Sequence, residues 1–226
     1  MKSSVGVAVI LAILLSLGWS LAAEAPSRSV MSVALPPARH DSETSVERAL
    51  SQRRSVRRYG ERALALAEVA QTLWSAQGIT SRLGGRTAPS AGALYPIEVY
   101  LVAGKVDGLD PAVYHYRPKA HALRRVRAGD VRSALGEAAL GQEWVSKAPA
   151  SLVIAAVHER TRRKYGSRAE RYVDIEVGCV CQSAHLQCET LGLGTVAVGA
   201  FDDTAVARII GESPAPLLIM PIGPKE

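Results

Sequence analysis

Residues 168–202 read RAERYVDIEVGCVCQSAHLQCETLGLGTVAVGAFD. From Arg168 to Leu191 apolar residues recur on several sides of the stretch. The spacing therefore predicts a long, central and well-buried helix. Gly192 and Gly194 stop that helix, Thr195 to Val198 reads as a strand, and Asp202-Asp203 caps a further helix to Ile210. The run Gly192-Leu193-Gly194-Thr195-Val196-Ala197 spells a G-x-G-x-x-A dinucleotide fingerprint. That fingerprint needs strand, turn, helix, and here a helix precedes and a strand follows. A Rossmann site is excluded.

The flanking segments complete an α+β pattern. Thr44-Ser45-Val46-Glu47 has capping-box character and opens a helix to about Gln52. Leu66, Val69, Ala70 and Leu73 lie at helical spacing and predict a helix over 66–76 that stops at Gly78. A loop rich in Gly and Pro spans 84–96. Strands are predicted at 97–103, 113–116, 122–126, 151–157 and 217–222, the second and third as a hairpin, with a helix over 130–140. No repeat appears, so residues 44–226 form one domain.

The N-terminus reads differently. Lys2, the apolar run Val5–Leu17 and small residues at Ala22, Ala23 and Ala25 make residues 1–25 a signal peptide or an uncleaved anchor, the run being short of the ~20 apolar residues of a membrane span. The domain is then exported, periplasmic or secreted, with membrane attachment only through an uncleaved segment. Residues 26–43, with Pro26, Pro36 and Pro37, read as a linker or arm outside the core. The 226 residues are 48% apolar and 21% charged, which excludes a disordered chain, and three cysteines are too few for a disulfide scaffold. The net charge of +6 fits an anionic ligand or surface. Tyr59, Tyr165 and Tyr172 are too sparse for a base-stacking platform, so no nucleic-acid partner is read.

Two stretches can carry chemistry. Arg53-Arg54-Ser55-Val56-Arg57-Arg58 sets guanidiniums and a hydroxyl where they can grip a phosphate, or form a solvated basic face or a processing site. Ala88-Pro89-Ser90-Ala91-Gly92-Ala93-Leu94-Tyr95-Pro96 is small enough to lie against a flat ligand, or is simply a loop with Pro at both ends. Arg162-Arg163-Lys164-Tyr165 reads from its residues alone as a solvated basic loop ahead of the long helix. Cys179, Cys181 and Cys188 lack a convincing fourth metal ligand, so no metal site is read. They are buried small residues, or they pair between subunits. Cys181 and Cys188 lie ~10 Å apart along a helix, beyond disulfide reach within one chain. His185 reads as a satisfied helix histidine, His115 and His121 as exposed beside the hairpin turn, and Trp74 and Trp144 as packing residues.

Taken in order, these strings resemble the nitroreductase family, and most closely its SagB-type, azoline-oxidase-like branch. The residues that carry the resemblance are Arg-Arg-Ser-Val-Arg at 53–57, Pro-Ser-Ala-Gly-Ala-Leu-Tyr-Pro at 89–96 and Arg-Lys-Tyr-Gly at 163–166. Arg171-Tyr172, the run at 192–202 and Pro-Ile-Gly at 221–223 complete it. The resemblance implies a central, mainly antiparallel sheet flanked by helices, and an intertwined homodimer with FMN at its interface.

It further implies that Arg53, Arg54, Ser55 and Arg57 hold the FMN phosphate and ribityl chain, with Lys225 as a further phosphate contact. Ser90, Ala91 and Gly92 would lie along the flavin. Gly199 and Ala200 would bring a backbone amide near flavin N5. Lys164 and Tyr165 match the pair that assists proton removal in azoline-oxidising relatives. Arg162 and Arg163 would favour the neutral amine of Lys164 if they point inward. The function expected is hydride transfer between a small organic or peptide substrate and flavin N5. Because NAD(P)H is scarce outside the inner membrane, a dehydrogenase or oxidase is preferred. The alternatives are an NAD(P)H-dependent nitro or quinone reductase and an inactive flavin- or partner-binding scaffold.

Overall fold

Strand β2 (Ile97–Ala103) sends Val99, Leu101 and Ala103 to one side of a sheet and Tyr100 and Val102 to the other, and both sets are buried. The alternation follows from the strand's two-residue period, and a strand buried on both faces reads as an unbroken apolar run. Strand β5 (Ala150–Ala156) behaves alike, with Leu152 and Ile154 opposing Val153 and Ala155. Each fully buried Leu or Ile here contributes ~1.5–3 kcal/mol. The computed structural model describes residues 31–211 and 214–226. The expected signal segment 1–25, and residues 26–30 of the expected arm, lie outside the described residues.

The other strands are β1 (Ser32–Ala34), β3 (Ala112–Arg117), β4 (Ala122–Ala128), β6 (Leu193–Thr195) and β7 (Ala215–Pro224). The sheet order is β1-β4-β3-β2-β5-β7-β6, and every neighbouring pair is antiparallel. Among the described residues seven α-helices flank it: α1 (Val46–Gln52), α2 (Leu66–Gln77), α3 (Arg132–Ala138), α4 (Glu143–Lys147), α5 (His158–Tyr165), α6 (Ala169–Thr190) and α7 (Asp203–Ile210). Helices α2 and α6 cover one face, and α3, α4 and α7 the other. The expected α+β class with a mainly antiparallel sheet is what the chain adopts.

The long helix α6 is buried along one face through Val173, Val177, Val180, Ala184 and Cys188, while Asp174, Ile175, Gly178 and Gln182 are exposed on the other. Helix α1 also leaves Val46 and Leu50 exposed. Asp202 caps α7 as expected, accepting the Ala205 N–H at 2.9 Å, whereas α1 is capped by Ser45, which accepts the Arg48 N–H at 3.2 Å, one residue after the Thr44 of the expected capping box.

Several expectations are corrected. Residues 32–34 form the edge strand β1, paired to β4, and Leu35 enters the core. Three residues on an edge leave too short a pattern to read. Helix α5 replaces the basic loop expected before α6. Among its residues only Thr161 is buried, so no apolar period announced it. His115 is buried rather than exposed, and its Nε2 meets Glu98 Oε2 at 2.7 Å. His121 bridges the Pro36 carbonyl at 2.8 Å and the Tyr116 hydroxyl at 3.0 Å. Strand β6 comes two residues earlier than expected, and Val198 makes only an isolated bridge to Ile219.

Candidate functional site

The arginine corner begins where α1 ends. Arg53 caps α1 with its N–H on the Ala49 carbonyl at 2.9 Å, and its extended backbone turns the chain along the sheet edge. Ser55 bridges Thr195 in parallel, Val56 N–H donates to Thr195 O at 2.9 Å, and Gly60 N–H to Pro224 O at 2.9 Å. This close approach requires two glycines. A Cβ on Gly194 would fall 2.4 Å from Val56 Cγ1, and one on Gly223 would fall 2.6 Å from Tyr59 Cγ. The Tyr59 hydroxyl donates to the Val56 carbonyl at 3.1 Å, and burial raises its pKa strongly.

The backbone is thus fixed while the cations fan out. Arg53 is half-buried and faces α6, where its charge acts on Cys181 and His185. Burial first, and then Arg53, lower the His185 pKa, which favours a neutral ring. Arg54 donates to the carbonyls of Ser51 at 3.1 Å and Arg53 at 2.8 Å, so its guanidinium closes the C-terminal end of α1. Arg57 lies 5.4 Å from the Trp144 ring centroid, in a cavity of about 530 Å³ shared with Arg58, Tyr59 and Lys147. Ser55 is exposed. Lys225 forms an ion pair with Glu189.

The 199–202 loop is pinned from behind. Gln142 Nε2 donates to Ala200 O at 2.9 Å, and Asp202 N–H to Ala138 O at 2.8 Å. Gly199 and Ala200 are exposed, and among the described residues nothing accepts their N–H groups. Two backbone donors are therefore free for a ligand.

A second cluster forms around Ser90–Tyr95. Gly92, Ala93 and Tyr95 have φ of 61°, 54° and 46°. For the two non-glycine residues this left-handed backbone costs ~1–2 kcal/mol each. Tyr95 is held at three points. Its N–H donates to Ser90 Oγ at 2.9 Å, its carbonyl accepts from Arg160 Nη1 at 2.9 Å, and the Arg86 guanidinium lies 4.3 Å over its ring. Arg160 also pairs with Glu98, the carboxylate that meets His115. Burial opposes that charge, yet His115 and Arg160 together hold the Glu98 pKa below its ordinary value. Sequence reading missed this brace, because its members come from β2, β3 and α5.

Lys164 and Tyr165 close on the same loop. A Cβ on Gly92 would lie 2.8 Å from both Lys164 Nζ and Tyr165 Oη. The Tyr165 ring meets Tyr172 of α6 edge-on at 4.8 Å. Arg162 and Arg163 do not serve as inward cations. They pair with Glu159 and Glu170, all four side chains more than half exposed. Behind the loop stands Glu176, a buried carboxyl that the sequence reading also passed over.

The remaining residues resolve simply. Cys179, Cys181 and Cys188 are free thiols, and burial raises the Cys188 pKa to about 12. That makes Cys188 an inert packing residue.

The nitroreductase family model matches residues 50–224. A protein named as a nitroreductase, MJ1384 of Methanocaldococcus jannaschii, is 45% identical over 183 residues, covering 81% of this chain and 92% of that one. The microcin B17-processing protein McbC of Escherichia coli is 31% identical over 146 residues, 61% of this chain and 54% of that one. Among solved structures, a nitroreductase of Ralstonia eutropha superposes with a TM-score of 0.75 at 30% identity, covering 86% of this chain and 90% of that one.

Proposed function

The chain belongs to the nitroreductase family of FMN-dependent oxidoreductases, and from that premise we propose that it is an exported dehydrogenase or oxidase. It moves hydride between a small organic or peptide substrate and flavin N5. The observation that carries the reading is the meeting of Lys164 Nζ and Tyr165 Oη at Gly92, in the loop expected to lie along the flavin. Resemblance to a peptide-processing protein favours a peptide-like substrate.

The residues present fit FMN. Small residues at 90–92 leave a flat approach, Arg53 and Arg57 have charge to offer a phosphate, and the free N–H groups of Gly199 and Ala200 can donate to a flavin edge. FMN, when bound, supplies the hydride acceptor at N5. The chain supplies the rest. Lys164 takes the substrate proton, Tyr165 orients it with a ring that Tyr172 meets edge-on, and the left-handed turn at Gly92 keeps the floor beneath them thin.

FMN between two copies suits the layout. The arginine corner stands by His185 on α6 and the Lys164 cluster by Glu176, nine residues earlier and ~14 Å along the axis. The exposed line Ile175, Gly178 and Gln182, with Val46 and Leu50 of α1, offers a surface for the second subunit. A Cβ on Gly178 would meet nothing, so a helix can approach closely there.

A yellow flavin spectrum from the purified chain, stable to anaerobic NADH and NADPH but bleached by substrate, is the expected result. Rapid bleaching by NAD(P)H would instead establish a nitro or quinone reductase, the reading favoured by the M. jannaschii relative's name. Recovery of the protein only in the cytosol would end the export proposal.

A further inference from the structure

Helix α5 carries Lys164 and Tyr165, yet of its residues Thr161 alone is buried, so little packing fixes where the helix lies. The ion pairs of Arg162 and Arg163 with Glu159 and Glu170 are long, at 3.6 to 3.8 Å, and screened by solvent. Arg160 differs. Its Nη2 meets Glu98 Oε1 at 2.5 Å, and its Nη1 donates to the Tyr95 carbonyl at 2.9 Å. Residues 160 and 164 stand four apart, so they share one face of the helix. One planar guanidinium therefore joins the helix that bears Lys164, the end of the loop that bears Gly92, and strand β2.

The anchor is itself held. Glu98 is largely buried, its Oε2 meets His115 Nε2 at 2.7 Å, and Arg124 Nη2 reaches His115 Nδ1 at 3.1 Å. Arg124 can only donate, so the imidazole proton sits on Nε2 and points at the carboxylate. The His115 ring stacks on Tyr100 at 4.7 Å, which fixes its plane. The start of α5 is tied by the Val157 N–H, which donates to the Pro96 carbonyl at 2.9 Å. Arg160 extends that hold to the turn before Lys164.

We propose that Arg160 is a positioning residue: by spanning the Tyr95 carbonyl and Glu98 it sets α5 at the distance and roll that lay Lys164 Nζ and Tyr165 Oη against Gly92. This deepens the flavin-site reading and rests on it for its catalytic consequence. The turn needs such a hold. Ala93 and Tyr95 have positive φ, a shape that persists only while surrounding contacts fix it. Without the fork the Tyr95 carbonyl is released and α5 drifts, so the loop and the Lys164–Tyr165 pair separate.

Two NMR readouts on the full chain test this. In the wild type a nuclear Overhauser contact should join the Gly92 α-protons to the Lys164 ε-protons, and the Ala93 and Tyr95 amides, both bonded to Ser90, should exchange slowly. Arg160→Met keeps the apolar stem and drops the fork. It should lose the Overhauser contact and speed exchange at both amides roughly tenfold or more. The Leu101 and Leu152 amides of the sheet should exchange as before, which a general loss of structure would not allow. Arg163→Ala, on the exposed side of the same helix, should change neither readout. If Arg160→Met fails to fold, Glu98→Gln, which gives up the charge and keeps an oxygen, decides alone by the same two readouts. An Overhauser contact retained with wild-type exchange in the folded variant would overturn the proposal, and so would equal acceleration in the sheet. A parallel FMN fluorescence titration separates the two readings. Wild-type protein that refuses FMN, with both readouts still dependent on Arg160, removes the flavin reading and leaves the role of Arg160. FMN binding with readouts indifferent to Arg160 does the reverse.

Discussion

Arg53 and Arg57 carry their charges on side chains that the fold pins at few points, and Arg54 is tied only to the end of α1, whereas Tyr95 is gripped at its N–H, its carbonyl and its ring. Both regions rest on rigid backbone, so the difference lies in what each must do. A phosphate can be gathered by flexible cations, since Coulomb attraction falls off slowly and tolerates several geometries. Proton removal needs its groups within hydrogen-bond reach before the substrate arrives. On the proposed reading, one end is assembled by the ligand and the other is set in advance.

The sharpest test of that contrast is Lys164→Ala. It should lower kcat ~10²–10⁴-fold while leaving FMN affinity unchanged, as read by steady-state kinetics beside a flavin titration. Equal loss of both would make Lys164 part of the scaffold. Next comes Arg53→Ala with Arg57→Ala. Losing two charge-assisted bonds of ~1.5–3 kcal/mol each should weaken FMN binding about 100-fold or more, with little change in melting temperature. Unchanged affinity would remove the arginine corner from the site.

Glu176→Gln probes the preset end through stability. Its folded pKa is raised from 4.5 to about 7, so the wild-type carboxyl is well accommodated below pH 4.5 and progressively less so as pH climbs to 7. The variant should match the wild type in urea melts near pH 4 and exceed it by ~3 kcal/mol at pH 8. Gly92→Ala should have the smallest effect, destabilising by ~1–2 kcal/mol because φ is 61° there. It should also push Lys164 and Tyr165 apart, so turnover should fall by more than the stability loss accounts for. A neutral substitution would show that the turn is not what presents the pair.

Legibility followed the length of the pattern. Helices α2 and α6 and strands β2 and β5 stood out because their cores are paid for by long apolar periods. Strand β1 has three residues and α4 five, too few to show a period. Helix α5 is charged almost throughout and takes its place from packing on α6. Of the site, the corner, the small-residue loop and Lys164-Tyr165 were readable as local strings. The Glu98–His115–Arg160 brace and the burial of Glu176 were not, since each depends on elements distant in sequence.

Composition and periodicity determined the α+β class, and six ordered strings the resemblance that implies the family and its cofactor, because each depends on neighbours within a few residues along the chain. Only the tertiary structure decided that Arg54 closes a helix end, that His115 is buried against a carboxylate, and that Lys164 and Tyr165 meet at Gly92. Those outcomes depend on which elements the sheet brings side by side. Burial then changes the energy of a charge by more than its sequence neighbours can.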